Sequence, residues 1–177
     1  RVSVMDHARM SAGVAAVSGT PGFDDAPPAG FQAVDLGAGF ASHNTRFYGC
    51  WQGDRLRLGF RVSPRLTNLR GGLHGGMLAT FADMLLPYAI MYQRLGHRRF
   101  LPTINLQVDY LAPATVGSWI DGEADVLRVT RTMVFAQGKV FADGEIIARV
   151  SGIFKLGDAF PDGEGAGLGF AAPPERT

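Results

Sequence analysis

The chain predicts an α+β fold in which an antiparallel β-sheet wraps one long, buried helix. Three observations lead there. From Met77 to Tyr92 nearly every residue is apolar on whichever face one counts, and a helix that is apolar all round is a buried one. Beyond it come runs of strand length, among them Thr103-Ile104-Asn105-Leu106-Gln107-Val108-Asp109-Tyr110, which alternates polar and apolar. Between two later runs stands Asp143-Gly144, a strong signal for a tight hairpin turn. A lone helix with no apolar partner helix can be covered only by the sheet.

Residues 1–30 form an N-terminal extension: an alanine-rich piece from Met5 to Val17 able to make a short helix, then the punctuated run from Thr20-Pro21-Gly22 to Pro27-Pro28-Ala29-Gly30. The domain proper is predicted over 31–156. Phe31 to Asp35 and Arg46 to Trp51 read as strands. Gln52-Gly53-Asp54 turns the second into Arg55 to Val62, where Leu56, Leu58, Phe60 and Val62 alternate with Arg55, Arg57, Gly59 and Arg61. That pattern is a half-buried strand of a hairpin, with the arginines expected on the solvated face. Inside the long helix, Pro87 cannot donate to the carbonyl of Asp83, which predicts a kink or local loosening. The basic run Arg94, His97, Arg98, Arg99 follows the helix, where positive charge suits the dipole. Strands are then predicted over Ser118 to Val129, Thr132 to Ala142 and Glu145 to Leu156, and the Gly, Pro, Asp, Glu and Ala of 157–177 predict a flexible tail.

With 17 Lys and Arg against 16 Asp and Glu, the chain carries a net charge of +1, which gives no basic face for nucleic acid. Cys50 is alone, so neither an internal disulfide nor a cysteine metal cluster is expected, and a reducing compartment is. No apolar run approaches the roughly 18 residues that span a bilayer. Asp6, His7 and Arg9 stand where a signal peptide would be apolar. A soluble cytoplasmic protein, with neither metal nor membrane, is the resulting expectation.

The chemistry concentrates where the helix begins. Gly75 and Gly76, after His74, let a ligand approach the backbone closely. A Gly75 N–H facing a cleft would be a donor backed by the positive end of the helix dipole, suited to an acyl oxyanion. Asp83 is the only ionisable residue of the helix before Arg94, and Gly76, Thr80, Asp83 and Pro87 share one small, polar stripe. A carboxylate there must be solvated by a cleft, paired, or partly desolvated. No serine lies in a G-x-S-x-G elbow, so Asp83 is the candidate nucleophile or general base. Gly75 and Asp83 are about 12 Å apart along one helix, too far for one carbonyl to touch both. A shared site therefore needs two copies of the chain about a two-fold axis, hence an obligate homodimer with two equivalent sites.

The spacing Asn68-x5-His74-Gly75-Gly76-x6-Asp83 resembles the hotdog-fold acyl-CoA thioesterases of the phenylacetate-pathway (PaaI-like) type. The similarity runs on through Thr103 to Ala114 and Ser151-Gly152-Ile153-Phe154, covering about 31–156. It implies a hotdog fold and hydrolysis of a small or medium acyl, or aryl, coenzyme A thioester. Coenzyme A enters as part of the substrate, with no separate cofactor. Asp83 would be the nucleophile or general base, Gly75 the oxyanion donor, His74 and Asn68 the groups that position and polarise the thioester, and Thr103 a hydroxyl holding water beside the carboxylate. Gly76, Arg128 and Arg131 would meet the coenzyme A portion. It also implies sites built across a dimer, often paired into a dimer of dimers. Two alternatives stand beside it. A hotdog hydratase or dehydratase would want a carboxylate where Leu69 stands, and a non-catalytic acyl-CoA binding domain would have no use for Asp83.

Overall fold

The computed structural model describes residues 22–36 and 39–160. The predicted helix from Met5 to Val17 lies outside them, as do 161–177. The elements are β1 (Gln32–Ala33), α1 (Phe40–Asn44), β2 (Tyr48–Gln52), β3 (Arg55–Arg61), a 3-10 turn (Pro64–Leu66), α2 (Gly75–Ala89) continued by a π-helix (Ile90–Leu95), β4 (Thr103–Tyr110), β5 (Trp119–Val129), β6 (Met133–Ala142) and β7 (Glu145–Lys155). The seven strands form one antiparallel sheet in the order β1-β2-β3-β5-β6-β7-β4. The helix-bearing connection thus carries the chain from β3 to the far edge of the sheet.

The sheet curls around α2, which lies against β3, β5, β6, β7 and β4. Phe81, Leu85, Leu86 and Ile90 are fully buried against Leu56, Phe60, Ile120, Val140, Val150 and Phe154. Each such side chain contributes about 1.5–3 kcal/mol by leaving water. Phe81 stacks on Phe47 at 6.1 Å and tilts against Phe60 at 5.2 Å. The close approach requires glycine on the sheet: a Cβ on Gly122 would stand 2.6 Å from Leu85 Cδ2. The hairpin at Asp143-Gly144 forms with both residues at positive φ, 50° and 93°, the pairing a two-residue type I′ turn requires.

Several expectations are corrected. The α-helix passes through Pro87 and loosens only at Ile90, where wide π turns run to Leu95. Gly96, at φ 70°, ends it and donates to Met91 O at 2.9 Å. Arg99 does not serve the helix terminus, since its Nε binds Gly157 O at 2.8 Å. The flexible tail does not begin at Gly157, because the Gly157 N–H donates to Phe100 O, the Phe100 N–H donates to Asp158 O, and the Phe160 N–H donates to Arg98 O. At the other end, Arg61 reaches Ala26 O at 2.8 and 3.0 Å, so the extension is tied to the domain by residue 26. Arg57 is not solvated: it bonds Asp121 Oδ2 at 2.7 Å and Glu123 Oε2 at 3.2 Å on the face of the sheet away from α2.

Candidate active site

Two clusters stand on α2. At its start, His74 is the N-cap, and its Nδ1 accepts the Gly76 N–H at 2.9 Å. That bond puts the proton of the neutral imidazole on Nε2, the nitrogen left to face a ligand. The Gly75 N–H has no hydrogen-bond partner among the described residues, as befits the first residue of a helix, and it is the donor left over for an oxyanion. An open cleft of ≈ 330 Å³ borders it, walled by Leu73, Leu78, Tyr110, Leu111, Pro113 and Ile147. None of its lining residues is charged, so it suits an apolar group.

Two turns along the helix is the second cluster. The Thr103 hydroxyl donates to Asp83 Oδ1 at 2.6 Å, a short charge-assisted bond. Asp83 is half-buried and Thr103 exposed. One carboxylate oxygen is therefore tied down and the other is left for chemistry. Because α2 is continuous from Gly75 to Ala89, its rise keeps the Gly75 amide and Asp83 about 12 Å apart. The chain thus presents an oxyanion-type donor and a held carboxylate as two separate half-sites.

A family model described as Thioesterase superfamily matches residues 70–148, which span both clusters. The Pseudomonas aeruginosa protein named "Putative esterase PA0474" is 30% identical over 102 residues, 58% of this chain and 75% of that protein. The chain belongs to the thioesterase superfamily. Acyl-coenzyme A thioesterase 13 of mouse is 29% identical over 99 residues, 51% of this chain and 69% of its own length. The crystal structure of zebrafish thioesterase superfamily member 2 superposes with a TM-score of 0.58 at 30% identity, covering 68% of this chain and 88% of that one. The Escherichia coli PaaI protein, with a TM-score of 0.56 at 16% identity over 64% and 80% of the two chains, shares the fold.

Within this thioesterase-superfamily chain, the remaining candidates sit as follows. Asn68 spends its side-chain oxygen on the N–H groups of Arg70 (2.9 Å) and Gly72 (3.3 Å), while its own N–H reaches Gly72 O at 2.8 Å. It builds the turn that delivers His74, and only its amide nitrogen is left for a ligand. A Cβ on Gly76 would lie 3.0 Å from His74 Nδ1 and press on the capping ring, whereas one on Gly75 would meet Tyr110 at an ordinary 3.4 Å. Arg128 and Arg131 are exposed at the β5–β6 end of the sheet. A register shift between Val126 and Arg128 pairs Arg128 with Phe135, on the face away from α2, so the chain does not bring either arginine against Asp83. They stand at the same end of the sheet, since Val129 pairs with Val134, Val134 with Phe154 and Phe154 with Thr103. Three strand spacings make that about 14 Å.

One participant was missed by sequence reasoning. The Tyr110 hydroxyl donates to Gly75 O at 2.9 Å. Strict alternation along β4 places Thr103 and Tyr110 on opposite faces, but an irregularity between Thr103 and Asn105 brings both to the helix side, where they pair with Phe154 and Ala148. Among the described residues no group of three His, Cys, Asp or Glu could hold a metal, and no helix is long and apolar enough to cross a membrane.

Proposed function

We propose that the protein hydrolyses acyl-CoA thioesters in two sites, each built from the Gly75 end of one copy and the Asp83 end of another. The observation that carries this is the 2.6 Å bond between Thr103 and Asp83, a carboxylate readied on the one helix stripe the sheet leaves open and too far from its own chain's Gly75 amide. Gly76, Thr80, Asp83 and Pro87 are the residues of that stripe, none of them fully buried. Beside it runs β4, a free sheet edge with Ile104 56% and Tyr110 55% exposed. An open edge next to apolar surface is a place where a second chain pairs. Pairing of two such dimers is the larger assembly the family resemblance implies.

In the reaction, the Gly75 N–H and the His74 Nε2–H grip the thioester carbonyl, and the acyl group lies in the apolar cleft. The partner copy's Asp83 takes a proton from water as the water oxygen bonds to the carbonyl carbon. The tetrahedral oxyanion forms against Gly75 and collapses with cleavage of the C–S bond. The thiolate leaves with the proton that Asp83 had accepted, giving the free thiol and the acid. Thr103 favours this general-base course over direct attack, because its bond occupies one carboxylate oxygen while its own lone pairs can hold the water beside the other. Arg128 and Arg131 stand at the Asp83 end of the sheet, so the copy that supplies Asp83 would also supply these cations to the coenzyme A phosphates. The single half-buried thiol, Cys50, fits a reducing cytoplasm.

Thiol release from a panel of alkyl- and aryl-CoA thioesters tests the proposal. Wild-type protein should release thiol, and Asp83→Asn should lower kcat by about 10²–10⁴-fold, the worth of a positioned base, with KM little changed. A loss of enoyl absorbance without thiol would instead indicate a hydratase. Unchanged turnover in Asp83→Asn would remove the carboxylate from the mechanism.

A further inference from the structure

We propose that Tyr110 is a positioning residue, which holds the two donors of the oxyanion half-site by clamping the peptide group between Gly75 and Gly76. The inference rests on the acyl-transfer reading above. Its observations are independent of it. The carbonyl of that peptide group accepts the Tyr110 hydroxyl at 2.9 Å, and its N–H donates to His74 Nδ1 at 2.9 Å. One peptide plane is thus held at both ends by side chains from different elements. The Tyr110 ring also covers Gly75, its nearest carbons and hydroxyl standing 3.4–3.5 Å from the place a Cβ would take.

Neither bond is demanded by the fold. The Gly75 carbonyl already has a helical donor four residues on and uses its second lone pair for tyrosine. Tyr110 is 55% exposed, so water could satisfy its hydroxyl. What the clamp does is local. It stops the peptide plane from rocking, and through the shared Cα it sets the direction of the Gly75 N–H. A donated O–H on the carbonyl polarises the amide and strengthens the N–H that holds Nδ1. The imidazole is thereby kept in the Nε2–H tautomer, aimed at the same carbonyl oxygen as Gly75. The cleft wall and the oxyanion donors are then one unit.

Tyr110→Phe keeps the ring and removes the hydroxyl. The expected result is a kcat lowered about tenfold, the worth of one neutral hydrogen bond, with KM within about twofold. By ¹⁵N NMR, the His74 ring nitrogens should shift toward a tautomer mixture and the Gly76 amide should exchange faster, with the melting temperature held. Unchanged His74 and Gly76 signals would overturn the proposal whatever kcat does, and changed signals with unchanged kcat would overturn it as well. Wild-type protein that releases no thiol would defeat the hydrolytic reading instead, while the NMR arm still decides whether the clamp exists.

Discussion

Asp83 could be picked out of the sequence because one charge among the sixteen residues from Met77 to Tyr92, nearly all apolar, has to be solvated, paired or used. Its partner hydroxyl could be named only through family resemblance, since Thr103 is twenty residues away in an ordinary strand pattern. The inward turn of Thr103 and the outward turn of Arg128 were hidden for one reason, a strand irregularity that inverts the alternation on which face assignment depends. Tyr110 keeps the face of Leu106 and Val108, and its bond to Gly75, 35 residues away, has no local signal. The residue-scale predictions use these contacts. Thr103→Ala should lower kcat by about 10–100-fold, the cost of losing a hydrogen bond to a charged group, and Thr103→Ser should recover most of it in the same thiol-release assay. Gly75→Pro removes the oxyanion N–H and little else. Proline is tolerated at the first position of a helix, and His74 already has the extended backbone, φ −68° and ψ 129°, that the residue before a proline adopts. That variant should fold with a wild-type circular dichroism spectrum and lose about 10²–10³-fold in kcat, the usual cost of an oxyanion donor. A variant that folds and still turns over normally would exclude this amide from catalysis.

At the scale of elements, the strands were legible because their alternation is plain, the helix because a run of that length is apolar on every face, and the hairpin because Asp143-Gly144 names its own turn. What alternation could not show was how the arginines of β3 divide. Arg57 faces outward as expected, yet it is only 14% exposed, held between Asp121 and Glu123 and laid over the Phe141 ring at 5.0 Å. Burial raises the Asp121 pKa more than Arg57 lowers it. The folded state therefore binds that proton more readily than the unfolded chain, so this carboxylate's share of stability declines as pH rises from the ordinary carboxylate range through its raised value. Arg57→Met removes the opposing cation and steepens the decline. Denaturant melts should show a loss of about 3 kcal/mol at pH 7, shrinking as pH falls and Asp121, its pKa raised by burial, takes up its proton. A loss independent of pH would mean that packing, not charge, is what Arg57 supplies. On the helix side, Gly122→Val should destabilise by about 1–3 kcal/mol through overpacking against Leu85.

For the whole molecule, the decisive feature is the sheet order. Placing β4 at the edge beyond β7 leaves one stripe of α2 and one strand edge uncovered side by side, and both half-sites lie on that border. The wrapping of the helix followed from its composition, but the crossing of the chain to the far edge did not, because no local pattern states which strands pair. An isolated chain cannot bring its own Gly75 amide and Asp83 to one carbonyl when a rigid helix separates them by about 12 Å. The account therefore stands on sharing between copies. Its most direct test mixes Asp83→Asn chains with Gly75→Pro chains, each inactive alone, after unfolding and joint refolding. Random pairing makes about half the dimers mixed, with one complete site of two in each. The account predicts recovery of about a quarter of wild-type thiol release, and mixtures that remain as inactive as their components would contradict it.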